Sequence, residues 1–204
     1  MAMGALPCEF TMSEQPPQDL DWSPLVPGGA AFKTHRLVVL APARLELHPS
    51  TQARTLVGVV VAVGVIAFGF ATWGFVAKEP AAIATAGMFV LTSVVLAPLL
   101  HRQLDNRRYF DAVRGQYWRE PGSEVVSLSS IRGLQITPEE VTGGESDFTA
   151  YELNLVLDDG RRVNVLDHGN LEQLHDHAQQ LAAFLRVPLW IEPKLQDLVM
   201  KLGT

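Results

Sequence analysis

Residues 55–77 of the chain read TLVGVVVAVGVIAFGFATWGFVA, and residues 80–100 read PAAIATAGMFVLTSVVLAPLL. Both runs are uncharged, and each is long enough for a helix that crosses a bilayer, which takes about 20 apolar residues. Only Lys78 and Glu79 lie between them, and Pro80 suits the first turn of a second helix. The two runs therefore predict a hairpin of two transmembrane helices over residues 55–100.

Two other interpretations of these runs are weaker. A soluble core in a chain of 204 residues does not need two uncharged runs of this length. A cleaved signal sequence has a shorter apolar run close to a basic chain start, whereas the first run begins only at residue 55.

Charge is distributed unevenly along the chain, whose formal net charge is −6. From residue 120 onward the sequence has 14 acidic and 6 basic residues. Such an acidic region repels phosphate backbones, which argues against nucleic acid as a partner. The single cysteine, Cys8, rules out an intramolecular disulfide and a cysteine zinc site.

Basic residues flank both runs, whereas the hairpin tip has Lys78 alone. Because basic residues are retained on the cytoplasmic side of a membrane, both termini are predicted to be cytoplasmic. The flanking bases are Lys33, Arg36, Arg44, Arg54, Arg102, Arg107, Arg108, Arg114 and Arg119. The candidates for contact with lipid headgroups are Arg54, His101, Arg102, Arg107 and Arg108.

A stripe of small residues runs along the second helix. Its members, which lie within about 60° of one another at 100° per residue, are Ala82, Ala86, Ser93 and Ala97. Small residues let helix backbones approach closely in lipid. The stripe is therefore a candidate partner-binding surface, and two partners are open. One is another membrane protein; the other is the first helix, which offers Gly58 with Ala62 and Ala67 with Ala71.

Outside the hairpin the sequence alternates between strand patterns and turns. Residues 1–30 are rich in Pro, Gly, Ser and Gln and are predicted to form a disordered tail. Strands are predicted at residues 32–40, 43–48, 107–111, 116–120, 131–137, 151–157 and 161–166. Pro138 is expected to end the fifth strand, and Asp158-Asp159-Gly160 predicts a hairpin turn.

Two helical patterns follow the strands. Asn170 is the predicted N-cap of the first helix, which ends before Pro188. Its apolar stripe comprises Leu171, Leu174, Ala178, Leu181, Ala182 and Leu185. A short C-terminal helix begins at Pro193, with an apolar stripe of Leu195, Leu198, Val199 and Leu202. This second stripe is expected to pack on its own domain, or to bind a partner groove or the membrane surface.

Three segments carry a resemblance to a known family. They are residues 110–118 (FDAVRGQYW), 131–136 (IRGLQI) and 151–160 (YELNLVLDDG). With the order of strands and helix, they resemble bacterial pleckstrin-homology-like (PH-like) membrane proteins, most closely proteobacterial two-helix transmembrane proteins. The resemblance implies an α+β membrane protein, in which a two-helix transmembrane hairpin is inserted in a small PH-like antiparallel β domain with a C-terminal helix. It describes strands and turns, so it bears on fold more than on function.

The resemblance and the hairpin together predict the domain plan. It comprises a disordered tail (1–30), cytoplasmic strands of the PH-like domain (31–54), the transmembrane hairpin (55–100), the rest of that domain (101–190) and a short C-terminal amphipathic helix (191–204). Two of the seven strands precede the hairpin. The domain must therefore close across the hairpin, which needs both flanks on one side of the membrane.

Motifs for catalysis, metals or cofactors do not stand out in the sequence. Gly143-Gly144 lacks the lysine and serine of a phosphate-binding loop, and no serine has a nucleophile-elbow context. His175 and His177 lie about 200° apart on a helix, so they do not share a ligand face. Asp167 and His168 are expected to turn the chain from strand into helix. No catalytic, metal or cofactor residues are therefore predicted.

These observations predict a non-enzymatic protein of the bacterial inner membrane, whose cytoplasmic PH-like domain serves as a binding or scaffolding surface. One alternative is an accessory subunit of a larger membrane complex, docked through the small-residue stripe and the C-terminal helix. A remote alternative is a membrane enzyme that uses the Asp167 and His168 region. The expected partners are the lipid bilayer and a membrane protein or a second copy of the chain.

Overall fold

The computed structural model describes residues 15–29, 32–122, 124–142 and 147–202. These residues form four α-helices and nine strands, the strands being arranged in two sheets. The chain divides into two compact units, whereas the sequence predicts a single β domain. The hairpin unit comprises Phe32–Val113 and Tyr117–Val125, and the C-terminal unit comprises Met1–Ala31, Arg114–Gln116 and Val126–Thr204. The strands group this way because they belong to two separate hydrogen-bonded sheets.

The elements follow one another along the chain without long gaps. In order they are β1 (His35–Ala41), β2 (Arg44–Pro49), α1 (Thr51–Ala77), α2 (Pro80–Leu104), β3 (Arg107–Asp111), β4 (Gln116–Glu120), β5 (Val125–Ser127), β6 (Ile131–Val141), β7 (Phe148–Leu157), β8 (Arg162–His168), α3 (Leu171–Leu185), β9 (Leu189–Ile191) and α4 (Pro193–Leu202). One sheet has the order β1-β2-β3-β4-β5 and the other β8-β7-β6-β9. All seven predicted strands are present, together with the unpredicted β5 and β9.

Helices α1 and α2 form the predicted antiparallel hairpin, and both are longer than their uncharged runs. Helix α1 starts at Thr51 because the Ser50 side chain caps it, accepting a hydrogen bond from the Ala53 amide at 3.1 Å. At the tip, Lys78 adopts a left-handed conformation (φ 60°) and Pro80 begins α2. Both helices are long and apolar enough to cross a membrane. In the most apolar window of each helix, only 6% and 11% of the residues are buried.

Small residues line the contact between α1 and α2. Ala86 and Ser93 are buried, and a Cβ added to Gly64 would lie 2.7 Å from the Ser93 Cβ. A Cβ on Gly74 would lie 3.0 Å from the Ala82 Cβ. On α1 the contact uses Ala67 and not the predicted Gly58, which has nothing within 4 Å of an added Cβ. The small-residue stripe therefore packs against α1, with Ala86 and Ser93 buried and Ala82 and Ala97 half-buried.

Strands β2 and β3 pair directly, although the whole helical hairpin separates them in sequence. The pairing is antiparallel and places Leu45 opposite Phe110 and Leu47 opposite Arg108. One residue, Ser50, links β2 to α1, and two residues link α2 to β3. The expected closure of the sheet across the hairpin is thus confirmed.

The sheet of the C-terminal unit packs one face on α3. Leucines of β7 and β8 are buried with the α3 residues Leu174, Ala178 and Leu181, which confirms most of the predicted apolar stripe. The Asn170 cap is also confirmed, since its side chain accepts a hydrogen bond from the Gln173 amide at 2.9 Å. Gly160 (φ 81°) closes the predicted turn between β7 and β8.

Strand β6 continues through Pro138 to Val141, beyond its predicted end. Strand β9 pairs in parallel with Leu134–Ile136 only, so Pro138 lies past the last residue that β9 contacts. A proline without an N–H is tolerated in a strand where no partner needs that donor. The longer β6 pairs with an equally extended β7, down to Val141 opposite Phe148.

Residues 15–29, here called the N-terminal strap, cross the polar face of this sheet. The Glu152 carboxylate accepts hydrogen bonds from the Leu25 and Val26 amides, both at 2.8 Å. The Glu139 carboxylate accepts from the Gly28 and Gly29 amides at 2.6 and 2.8 Å. This part of the chain differs from the expected disordered tail, because two carboxylates of the sheet hold its backbone. Residues 1–14 and 30 of that tail lie outside the described residues.

Residues 21 and 23 of the strap are held by side chains of β6 and β8. The Arg162 guanidinium, largely buried, lies 2.8 Å from the Asp21 carboxylate and donates to the Ser23 carbonyl at 2.7 Å. Gln135 donates to the Asp21 carbonyl at 2.8 Å. Hydrogen bonds from Ser23 lower the pKa of Asp21, with a smaller contribution from Arg162. The strap is therefore attached from Asp21 to Gly29.

We predict that Glu152→Gln releases the middle of the strap. A glutamine side chain has one acceptor oxygen where two backbone amides need one each, and hydrogen bonds to charged groups are the stronger ones. Amide hydrogen exchange at Leu25 and Val26 should become faster by about tenfold or more. The matched control is Glu140→Gln, an exposed position on the same hairpin. Equal exchange in the two variants would contradict the role of Glu152.

We also predict that Gly64→Leu separates the hairpin helices. The new side chain would clash with Ser93, and overpacking of this kind costs about 1–3 kcal/mol. Thermal unfolding of the full chain in mild detergent should occur at a lower temperature. Gly58→Leu makes the same change at an open position of the same helix and should leave the midpoint unchanged. A similar drop in both variants would show that the loss does not come from the contact with Ser93.

Candidate functional site

A cleft of about 410 Å³ lies at the base of the helical hairpin, where the helices meet the strands. It belongs entirely to the hairpin unit. The residues that line it are Pro49, Ala53, Arg54, Val57, His101, Leu104, Asp105 and Arg107. They come from the end of β2, the first turns of α1, the last turn of α2 and the start of β3. The pairing of β2 with β3 brings these four chain segments together.

The lining of the cleft is half apolar and half polar. Pro49 and Ala53 are buried, and Val57 and Leu104 are half-buried, so these four form the apolar part. Arg54 and Arg107 are exposed, and neither guanidinium makes a hydrogen bond or ion pair within the part of the chain that the structure describes. The cleft therefore places two available arginines beside apolar side chains.

His101 lies in the last turn of α2, Asp105 directly follows the helix, and both line the cleft. The His101 Nε2 atom is 3.7 Å from the Asp105 Oδ2 atom, and both side chains are partly exposed. The pair is an ion pair only when His101 is protonated. Formally, two arginines and one aspartate leave the cleft with one net positive charge.

Three of the five headgroup candidates thus come together in the cleft, namely Arg54, His101 and Arg107. Arg102 is exposed but does not line it. Arg108 does not fit the prediction, because β3 turns its side chain into the protein, where only 5% remains exposed. Its Nη1 atom lies 2.6 Å from the His35 Nε2 atom.

His35 and Tyr117 complete a buried polar cluster around Arg108 that the sequence does not reveal. The His35 ring also lies 2.6 Å from the Asn106 carbonyl and 3.0 Å from the Thr34 hydroxyl. Burial raises the pKa of the Tyr117 phenol, and the nearby Arg108 partly offsets this. The cluster connects Thr34 and His35, at the start of β1, with Asn106 in the link between α2 and β3. It thereby stabilises the end of the hairpin that joins the sheet.

The C-terminal helix exposes part of its predicted apolar stripe. Leu195 is buried, Val199 is half-buried, and Leu198 is 49% exposed; the side chain of Leu202 lies outside the described residues. Val199 and the 65%-exposed Met200 line a groove of about 660 Å³ together with Trp190 of β9. His175 of α3 lines the same groove, and burial lowers its pKa. The stripe thus packs on its own unit at Leu195, whereas Leu198 is exposed to solvent and Val199 partly so.

The polar pair singled out as a remote catalytic candidate is used by the fold. Asp167 and His168 lie within β8, not in the turn after it. His168 is fully buried, and its Nδ1 atom accepts a hydrogen bond from the Asn170 amide at 2.9 Å. Asp167 accepts one from the Asn164 side chain at 2.9 Å. Through its bond to the Asn170 amide, His168 supports the start of α3.

Metal ligation finds no geometric support in the described ranges, where no group of three or more His, Cys, Asp or Glu side chains could hold an ion. The cleft at the hairpin base is the best candidate site, because it brings together three of the five predicted headgroup residues. The sequence identifies its basic residues by their position next to the uncharged runs. It gives no signal for Asp105 or the apolar lining, which become neighbours only through the β2–β3 pairing.

Comparison of the chain with known protein families, with curated proteins and with solved structures finds no match.

Proposed function

We propose that the chain is a non-enzymatic integral protein of the bacterial inner membrane, anchored by its helical hairpin. The observation that carries this proposal is the exposure of the hairpin's large apolar side chains. Phe68, Phe70 and Trp73 are each about 60% exposed (61%, 61% and 59%), and Phe75 is 76% exposed. Water-soluble proteins rarely present contiguous apolar surfaces of this extent, whereas lipid covers them at no cost.

Helix lengths agree with the proposal. At 1.5 Å per residue, the uncharged runs of 23 and 21 residues span about 35 and 32 Å. The hydrocarbon core of a bilayer is about 30 Å thick. Arg54 and Arg102 then lie at one headgroup level, and Lys78 with Glu79 at the other. Because the sheet side carries the flanking bases, this side is assigned to the cytoplasm.

The remainder of the chain then acts as a cytoplasmic binding or scaffolding domain of PH-like type. Two antiparallel-rich sheets, with eight strands that precede α3, support the PH-like part of this proposal. The non-enzymatic part rests on Asp167 and His168, which make hydrogen bonds within the fold, and on the complete burial of His168.

A second candidate function is that of an accessory subunit in a membrane complex. It is favoured by the open part of α4, where Leu198 and Met200 are exposed beside the groove at Trp190. Native mass spectrometry of the full chain, extracted in mild detergent from cells with natural expression, tests it. A stoichiometric second polypeptide that is lost in Leu198→Asp and kept in Asp197→Asn supports this function. A chain that carries no second polypeptide contradicts it.

The topology predicts how single cysteines are labelled in intact bacterial cells. In a Cys8→Ser background, Glu79→Cys at the hairpin tip should react with a membrane-impermeant maleimide added outside the cells, once the outer membrane is opened. Gln180→Cys, exposed on α3, should react only after the inner membrane is broken. Reversed labelling would overturn the orientation, and recovery of the chain in the soluble fraction would overturn the anchor.

A further inference from the structure

We propose that the cleft at the base of the hairpin binds the phosphate headgroup of an anionic phospholipid. This inference rests on the proposed membrane anchor and names a ligand class for its candidate site. Three properties of the cleft support it: its level in the membrane, its charge, and the apolar character of half its lining.

The cleft lies at the depth of lipid phosphates when the uncharged runs fill the hydrocarbon core. Arg54 immediately precedes the first run, and Leu104 to Arg107 follow the second by only a few residues. Both helices extend past their apolar runs on this side, so the cleft is built from ordered helix and strand ends. A lipid phosphate at the same level needs no displacement along the membrane normal to reach it.

The charge of the cleft suits one phosphodiester without an accompanying amine. Arg54 and Arg107 come from different elements and converge on one space, and a guanidinium binds phosphate oxygens through two parallel N–H groups. Asp105 lies beside His101, which leaves one net positive charge in the cleft when the histidine is neutral. An anionic headgroup neutralises that charge, whereas the ammonium group of a zwitterionic lipid would place another cation beside the arginines.

The apolar half of the lining selects a lipid over a free phosphate ester. Val57 lies about one helical turn further into the membrane than Arg54, and Leu104 lies between Arg102 and Arg107 at the end of the other helix. The first acyl carbons of a lipid would cover Val57, and its glycerol would cover Leu104. A soluble phosphate ester leaves them exposed and therefore gains only the ionic part of the interaction.

Native mass spectrometry of the full chain in mild detergent tests the proposal, with phosphatidylglycerol and phosphatidylcholine as the two probes. The wild-type chain should retain phosphatidylglycerol about tenfold better than phosphatidylcholine, since each basic residue near a membrane surface contributes to binding anionic lipid. The double variant Arg54→Gln with Arg107→Gln should lose this preference. Arg102→Gln removes the same kind of charge at the same level but outside the cleft, so it should keep the preference.

Three outcomes would overturn the proposal. The first is a wild-type chain without a preference, and the second is an Arg102→Gln variant that loses as much as the double variant, which would indicate general charge attraction. In the third, glycerol 1-phosphate displaces the lipid at equal concentration, which would make the ligand a soluble ester. Membrane fractionation of the same variants separates this proposal from the anchor. Lost lipid preference with retained membrane insertion contradicts the cleft alone, and a soluble wild-type chain contradicts the anchor.

Discussion

The pairing of β2 with β3 is the constraint on which the hairpin unit depends. These strands are neighbours in the sheet, although the two helices from Thr51 to Leu104 separate them in sequence. Because each strand passes into its helix through one or two residues, the sheet fixes where both helices begin and end. The two helices therefore continue directly from a pair of hydrogen-bonded strands, and the links between sheet and hairpin are too short to be flexible. The sheet also holds the first turn of α1 beside the last turn of α2, and the cleft lies at this junction.

In the C-terminal unit, the comparable constraint is the burial of carboxylates on the polar sheet face. Glu152 is fully buried and Glu139 nearly so, and a buried carboxylate without hydrogen bonds is costly. Paired backbone amides of the strap supply those bonds at both residues. Gly29 is needed for this approach, because a Cβ there would lie 2.4 Å from the Ala150 Cβ and 2.7 Å from Glu139. The strap and the sheet face thus depend on each other, and neither is complete alone.

The extent to which the sequence predicts this structure follows the range of the interactions involved. Local signals predict the uncharged helices, the cap at Asn170 and the turn at Gly160, because the residues that form each of them lie next to one another in sequence. The strap has no signal in the sequence, because its backbone amides are held by Glu139 and Glu152, more than a hundred residues away. Composition cannot report such a contact. The same holds for the burial of Arg108 against His35, which turns a predicted surface charge into a buried one.

The cleft itself follows from a mismatch in spacing. Paired strands lie about 4.8 Å apart, whereas packed helices lie about 8–10 Å apart. A chain that passes from a strand pair directly into a helix pair must diverge over its first turns. Along most of the hairpin, small residues such as Gly64 and Ser93 close the contact between the helices. At the base, the positions of Ala53 and Leu104 depend on the strands as much as on the helices. The divergence of the two chain segments leaves space between these residues. In this chain Arg54 and Arg107 give that space a positive charge.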